Sequence, residues 1–414
     1  MGVHDFAENI GKALKHLRGN DGECVYLFIL HQSASGDLPH LIPVLRNPQI
    51  RVLVMGGPGA KELDATTGKL NLGEVLVSEF GVPGNQVARA VSMSKAKEPK
   101  NAASSVSDVK QEINRLKLNF AGVCALSDST KIIRWQFFNQ GEEQVFGAEG
   151  KAPKLLGNDI NGPTLFDTRH LKESLYASHI NGLTDNDQGL FDKIIKSSDL
   201  QFDRSLVVLW GRRASKDGGA HYDANHSNTG WSQLAAKCVE LGFNVVLTGQ
   251  YKEDPRKKHL GLAKCFFLGE FYKEPYMSRP KQLCFFDEIG ARLGKSKHKY
   301  LHVGMRSGGL DFLGLAGQPM LYIAYEKLVA DFQTGEPKLK FDERIKGLTE
   351  AASEVGTELS INRASISRQP KRWTTTDGIN YMKDDARKAE GNDAKGFLDA
   401  DLKKIVGSIT SLLA

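Results

Sequence analysis

Apolar residues in this chain gather in short unbroken runs, each followed by a polar loop that is often rich in glycine. Residues 24–30 (CVYLFIL) form one such run, and 50–55, 205–210 (SLVVLW), 244–248, 265–268, 300–303 and 320–323 are further ones with at most two polar residues each. A run that is apolar at every position predicts a strand covered on both faces, as in a parallel sheet. Residues 86–93 and 120–126 read as further strands. Helical spacing falls between the strands, over 38–46, 73–80 and 104–116, then over 231–241, 255–262, 279–293 and 310–316. Residues 166–180 and 187–196 read as helices closing the first half, and 132–162 carry no regular pattern. The alternation predicts a doubly wound α/β architecture. A polar stretch at 197–203 interrupts it, and the pattern then restarts. The expected domains are therefore 1–198 and 199–345. Residues 324–394 show little core periodicity, and the last segment, 346–414, ends in an amphipathic helix over 397–413. Two such domains leave a cleft lined by loops at the carboxyl ends of both sheets, where α/β proteins bind ligands.

Composition narrows the picture. At 414 residues, with 40% hydrophobic and 25% charged content, the chain has material for two globular domains. No run of 18 apolar residues suggests a membrane span. The first residues form an amphipathic pattern without the apolar stretch of a secretory signal, and Phe6 stands where a myristoylation motif needs a hydroxyl. Five cysteines are scattered through apolar segments, which fits buried thiols in a reducing cytosol and predicts a cytoplasmic protein. The net charge of +6 suits an anionic small ligand and is too weak to argue for nucleic acid.

Candidate chemistry centres on residues 302–323. Gly304, Gly308 and Gly309 open a loop that carries Arg306 and Ser307 and runs into a helix. A glycine loop at a helix start offers unpaired N–H groups and the positive end of the helix dipole, which makes a phosphate site. An ordinary strand–loop–helix junction is the plainer reading. Asp37, after the first strand, reads either as a general base or as the cap of the next helix, with Pro39 in its first turn. The stretch from Gly211 to Lys216 (GRRASK) reads as a diphosphate clamp or as solvated charge. Gly249 and Gly269 end strands, where backbone groups could read a base or ribose or make plain turns. His221, Asp223 and His226 lack a third ligand at metal spacing, so no metal site is expected. Asp185-Asn186-Asp187 copies a metal–nucleotide motif, yet it follows Thr184 at a helix start, where capping explains it. Residues 363–388, with seven basic and three acidic side chains, form either a docking patch or a solvated segment.

Three of these stretches, in this order, carry a resemblance. ASGDLPHLIPVLRNPQIRVLVMGG resembles the opening of the heptosyltransferase-like GT-B glycosyltransferases, LVVLWGRRASKD with GFNVVLTG resembles the start of their second domain, and LHVGMRSGGLDFLGLAGQPMLYI resembles their donor-site motif. Two departures stand out. Arg306 replaces the usual acidic residue before Ser-Gly. Arg212-Arg213 looks like the paired arginines of GDP-fucose-using transferases, with the acidic residue delayed to Asp217. The resemblance implies two Rossmann-like domains facing across a cleft, with the C-terminal helix packing back on the first, acceptor-side domain. It implies an inverting, metal-independent transfer of a hexosyl, heptosyl or fucosyl group from a nucleotide-sugar to an acceptor hydroxyl, with Asp37 as general base. Its donor site would draw on Gly211, Arg212, Arg213, Lys216, Gly249, Gly269, Arg306, Ser307, Gly308, Gly309 and Asp311, and its acceptor side on Ser35 and Gly36. The implied co-substrate is a GDP- or ADP-sugar with no further cofactor. The implied acceptor is a glycan, lipid or protein, which allows peripheral membrane contact. A nucleotide-sugar epimerase and a non-catalytic nucleotide-sugar-binding protein are the alternatives on the same scaffold.

Overall fold

The computed structural model describes residues 10–17, 24–31, 38–42, 44–56, 72–91, 126–134, 171–176, 184–198, 200–211, 228–249, 256, 265–268, 278–305, 308–325, 359–366 and 397–414. The chain divides into two compact units, Met1–Ile180 with Lys346–Thr357, and Asn181–Ile345 with Glu358–Ala414.

The first unit contains α1 (Ile10–His16), β1 (Cys24–His31), α2 (Leu38–Leu41), β2 (Ile50–Gly56), α3 (Leu72–Glu74, continuing as a π-helical turn over Val75–Glu79), β3 (Val87–Val91), β4 (Leu126–Arg134) and α4 (Leu171–Tyr176). The four strands among its described residues are parallel, in the order β3-β2-β1-β4. Leu27–Leu30 and Val52–Met55 are fully buried, as their unbroken apolar runs require. β4 corrects the irregular reading of residues 132–134. Ile132 and Ile133 are its only adjacent apolar pair, and they line up with Leu27 and Phe28 of β1. Polar side chains serve the backbone at the start of β2. Arg51 is fully buried and donates to the carbonyls of Ile50 (3.1 Å), Leu17 (3.4 Å) and Pro48. The Gln86 amide donates to the carbonyls of Leu45, Asn47 and Ile50 at 2.8–3.1 Å.

The second unit contains α5 (Asp185–Ser197), β5 (Leu206–Gly211), α6 (Asn228–Glu240), β6 (Asn244–Gly249), β7 (Phe266–Phe267), α7 (Arg279–Lys295), β8 (Tyr300–Met305), α8 (Gly308–Leu315), β9 (Met320–Tyr325), β10 (Ile361–Ile366) and α9 (Asp399–Leu413). The six strands among its described residues are all parallel, in the order β10-β9-β8-β5-β6-β7. The chain thus runs outward from β5 to β7, returns to β8 on the other side of β5, and continues outward to β10. The reversal between β5 and β8 is a topological switch point, and α/β sheets bind ligands at the carboxyl ends of the strands there.

Alternate residues divide this sheet into two faces. One carries Val207, Leu209, Val245, Leu247, Leu301, Val303, Met305, Leu321, Ile323 and Ala364 against α6 and α9. The other carries Trp210, His302, Gly304, Met320 and Tyr322 against α7 and α8. Gly314 has no β-carbon because Met320 Sδ and Ile361 occupy that space, so α8 lies tight on β9.

Three expectations change here. The terminal helix α9 belongs to the second unit rather than the first. Leu402, Ile405, Ile409 and Leu413 bury into the second sheet, and the Phe397 amide donates to Gln233 Oε1 at 2.8 Å. Its period showed an apolar stripe but not which sheet would cover it. The helix expected to close the first half, α5, also belongs to the second unit. Phe191 packs edge-on to Phe285 of α7, and Asp187 and Asp192 pair with Lys281 and Arg292 at 2.6 Å. Strand β10 was not expected. As an edge strand it is half-buried at Ile361, Asn362 and Ser365 and exposed at Arg363, while Ala364 is fully covered. By contrast, the capping reading of Asp185-Asn186-Asp187 is met in full. Thr184 and Asp187 form a reciprocal capping box, with the Asp187 amide on Thr184 Oγ1 (3.2 Å) and the Thr184 amide on Asp187 Oδ2 (3.3 Å). Cys238, Cys265 and Cys284 are buried thiols, and burial pushes the first two up to about 12, so they stay protonated.

Candidate functional site

The carboxyl ends of β5, β6 and β8 bring several of the expected residues together. Gly211 and Gly249 end β5 and β6 side by side in register. Gly249 has φ +106°, and a β-carbon on it would strike the Gly211 carbonyl, so two glycine backbones meet where side chains would keep them apart. Across the switch point β8 ends at Met305, and α8 begins at Gly308. The first turn of a helix has no intrahelical acceptors for its N–H groups, and Gly308 and Gly309 put no side chain over them.

Trp210 and Arg279 flank this helix start. A β-carbon on Gly309 would stand 3.5 Å from Trp210 Cζ3 and 3.7 Å from both terminal nitrogens of Arg279. The first turn therefore rests on an indole edge, with an exposed guanidinium alongside. Arg279 is the first residue of α7, after the Ser278 cap, and donates to Gln282 Oε1 at 2.9 Å. Arg279 thus adds a cation beside the positive ends of two helices.

Arg279 was not among the residues picked from the sequence, where it is one basic residue at a helix start, 30 positions before Gly309. Only the return of the chain from β7 to β8 brings the two together. His302 was likewise passed over as part of an apolar strand.

Asp311, expected on the donor side, also serves the fold. It is buried in the first turn of α8, and Tyr322 Oη of β9 donates to its carboxylate at 2.5 Å. This bond ties α8 to the sheet. Asp37, Ser35, Gly36, Arg212, Arg213, Lys216, Gly269, Arg306 and Ser307 lie outside the described residues, as do His221, Asp223 and His226. Among the described residues no cluster of side chains has the makings of a metal site, and no helix is long and apolar enough to cross a membrane.

No protein-family model matches the chain, and no curated protein does. Among solved structures, a family 9 glycosyl transferase from Veillonella parvula DSM 2008 is similar over 89% of this chain and 98% of its own, at 10% identity and a TM-score of 0.35. An E. coli heptosyltransferase with ADP-2-deoxy-2-fluoro heptose is similar over 78% of this chain and 99% of its own, at 13% identity and a TM-score of 0.31. A UDP-GlcNAc 2-epimerase from Neisseria meningitidis bound to UDP-GlcNAc is similar over 93% of this chain and 99% of its own, at 10% identity and a TM-score of 0.36.

Proposed function

We propose that this protein is a nucleotide-sugar-dependent glycosyltransferase that holds the donor's diphosphate at the start of α8. The observation that carries the reading is Arg279 beside Gly309, with both terminal guanidinium nitrogens 3.7 Å from the β-carbon position of that glycine. Two helix starts and a forked cation at a sheet switch point form a positive locus suited to a diphosphate. Arg306, Ser307, Arg212, Arg213 and Lys216 extend the donor site in this reading, with Gly211, Gly249 and Gly269 toward the nucleoside.

The chemistry then needs few parts. Asp37 takes the proton from an acceptor hydroxyl, on a glycan, lipid or protein. The oxygen attacks the anomeric carbon from the face opposite the leaving group, so the stereochemistry inverts. The bond from that carbon to the diphosphate breaks, and the nucleoside diphosphate leaves with its new charge met by guanidinium and backbone N–H groups. In this reading no metal is needed, because those groups supply the neutralising charge. A GDP- or ADP-sugar is the proposed donor.

Calorimetric titration with ADP, GDP and UDP tests the donor site. Arg279→Ala should weaken binding of the preferred nucleotide by about 10–100-fold, the loss of one charge-assisted contact. Unchanged affinity would overturn the diphosphate site. Asp37→Asn should abolish transfer while leaving donor binding intact, and full turnover in that variant would remove the general base.

A further inference from the structure

A single hydrogen-bonded chain crosses the α7/α8 face of the second sheet. The Trp210 indole N–H donates to His302 Nδ1 at 3.1 Å, and His302 Nε2 meets Gln318 Oε1 at 2.9 Å. The Gln318 amide then donates to the Leu283 carbonyl at 2.9 Å and to Asp287 Oδ1 at 3.2 Å. Trp210 is 6% exposed, His302 0% and Gln318 2%, so the chain is closed to bulk water.

Its direction is fixed by chemistry. An indole nitrogen can only donate, so His302 Nδ1 must accept, and its proton must reside on Nε2. Nε2–H then donates to Gln318 Oε1, which turns the Gln318 amide nitrogen toward α7. The scheme requires a neutral imidazole. Burial pushes His302 down to about 3, against the opposing bond to Gln318, so the ring is neutral across the physiological range.

The two ends of the chain reach the two ends of α8. Trp210 supports Gly309 in the first turn, and Gln318 follows the last turn and its left-handed Gly317. Gln318 also grips α7 at Leu283 and Asp287, one and two turns after Arg279. A purely apolar core would hold α8 against the sheet but leave its travel along the strands less well fixed. Directional bonds set that travel.

We infer that Trp210, His302 and Gln318 are positioning residues that fix the start of α8 relative to Arg279, and thereby set the affinity of this locus for a nucleoside diphosphate. The inference rests on the reading of that locus as the donor's diphosphate site.

Paired substitutions at His302 separate positioning from mere packing. His302→Asn keeps an acceptor where Nδ1 stands, within reach of Trp210, and gives up the bond to Gln318. His302→Gln keeps a donor where Nε2 stands and leaves the indole without an acceptor. Both lose the ring that packs edge-on to Phe286 at 4.5 Å, so both should lose similar stability. The expected result is a loss of about tenfold in affinity for ADP or GDP in His302→Gln and a smaller loss, of about two- to threefold, in His302→Asn, which still holds the indole under Gly309. Trp210→Phe keeps a ring under Gly309 without its N–H and should match His302→Gln. It serves as the second variant if a His302 substitution fails to fold. In ¹⁵N-tryptophan-labelled protein, the slowly exchanging Trp210 indole proton should persist in His302→Asn and exchange rapidly in His302→Gln. Equal affinities in the two His302 variants, beside a wild type that binds, would overturn positioning and leave the donor site standing. A wild type that binds no nucleoside diphosphate would overturn the donor site and this inference with it.

Discussion

Two tryptophans on opposite faces of the second sheet show how differently the faces are used. Trp231 is buried among aliphatic side chains beneath α9 and packs edge-on to Phe397 at 6.2 Å. Its indole N–H has no hydrogen-bond partner among the described residues. Trp210 faces α7 and α8, and its N–H begins the chain through His302 and Gln318. The first ring contributes volume, the second volume and direction. A face that only has to exclude water tolerates many arrangements of apolar side chains, whereas a face that must deliver a helix start to a fixed place benefits from directional bonds.

Substitutions on the two faces test this contrast, and the largest effect falls on the apolar one. Ile405→Ala should remove about 2–5 kcal/mol, the usual cost of a cavity at a fully buried aliphatic side chain. Urea unfolding measures it, and a loss below about 1 kcal/mol would mean that α9 is not part of this core. On the opposite face Gly314→Ala should cost about 1–3 kcal/mol, because the added methyl meets Met320 Sδ and lies close to Ile361. A neutral result would show α8 free to slide on β9. The direct comparison comes third. Trp231→Phe and Trp210→Phe remove similar area, but only the second leaves a buried imidazole acceptor without its donor. Trp210→Phe should therefore be the more destabilising by about 1 kcal/mol, and equal effects would erase the contrast.

The smallest effect lies in the outer layer of the Trp210 side, where α5 clips onto α7. Lys281→Ala should cost about 1 kcal/mol at neutral pH. Burial raises the Asp187 carboxyl, but the hydrogen bonds from Lys281 and Thr184 and the Lys281 charge outweigh it and hold the group below its ordinary value. A carboxyl depressed in the folded state stabilises above its unfolded value, near pH 4, and that contribution fades as pH falls through the folded value. Thermal melts of the wild type and Lys281→Ala should thus converge as pH falls below about 4. A constant gap down to pH 2 would assign the effect to packing.

The legibility of the chain follows the same division. Strands β1, β2, β5 and β8 announce themselves because burial on both faces demands unbroken apolar runs. β10 does not, since an edge strand such as INRASI needs little apolar content. The glycines at the start of α8 were readable because few other roles call for Gly-Gly after a buried strand. Arg279 was not, because its partner is distant in sequence and only the crossover from β7 to β8 joins them. His302 also stayed hidden. One histidine in a strand gives no hint of the indole and amide it will meet, and those come from β5 and from the turn after α8. Asp311 reads as a ligand-binding group from its place near a helix start, and only the fold adds its bond with Tyr322. The period of α9 gave its apolar stripe but not its destination, which depends on which sheet face is left uncovered.

That destination bears on how the protein is made. The apolar face of the second sheet is written mostly between residues 206 and 323, but its cover, residues 397–414, is translated much later. On the ribosome, β8 and β9 must wait with Val303 and Ile323 unsheltered on the α9 side until that segment emerges. This is the interval in which a nascent chain is most prone to aggregate and most dependent on chaperones. Pairing across so long a stretch of sequence also slows folding. A ribosome stalled before residue 397 would therefore carry an unfinished second unit.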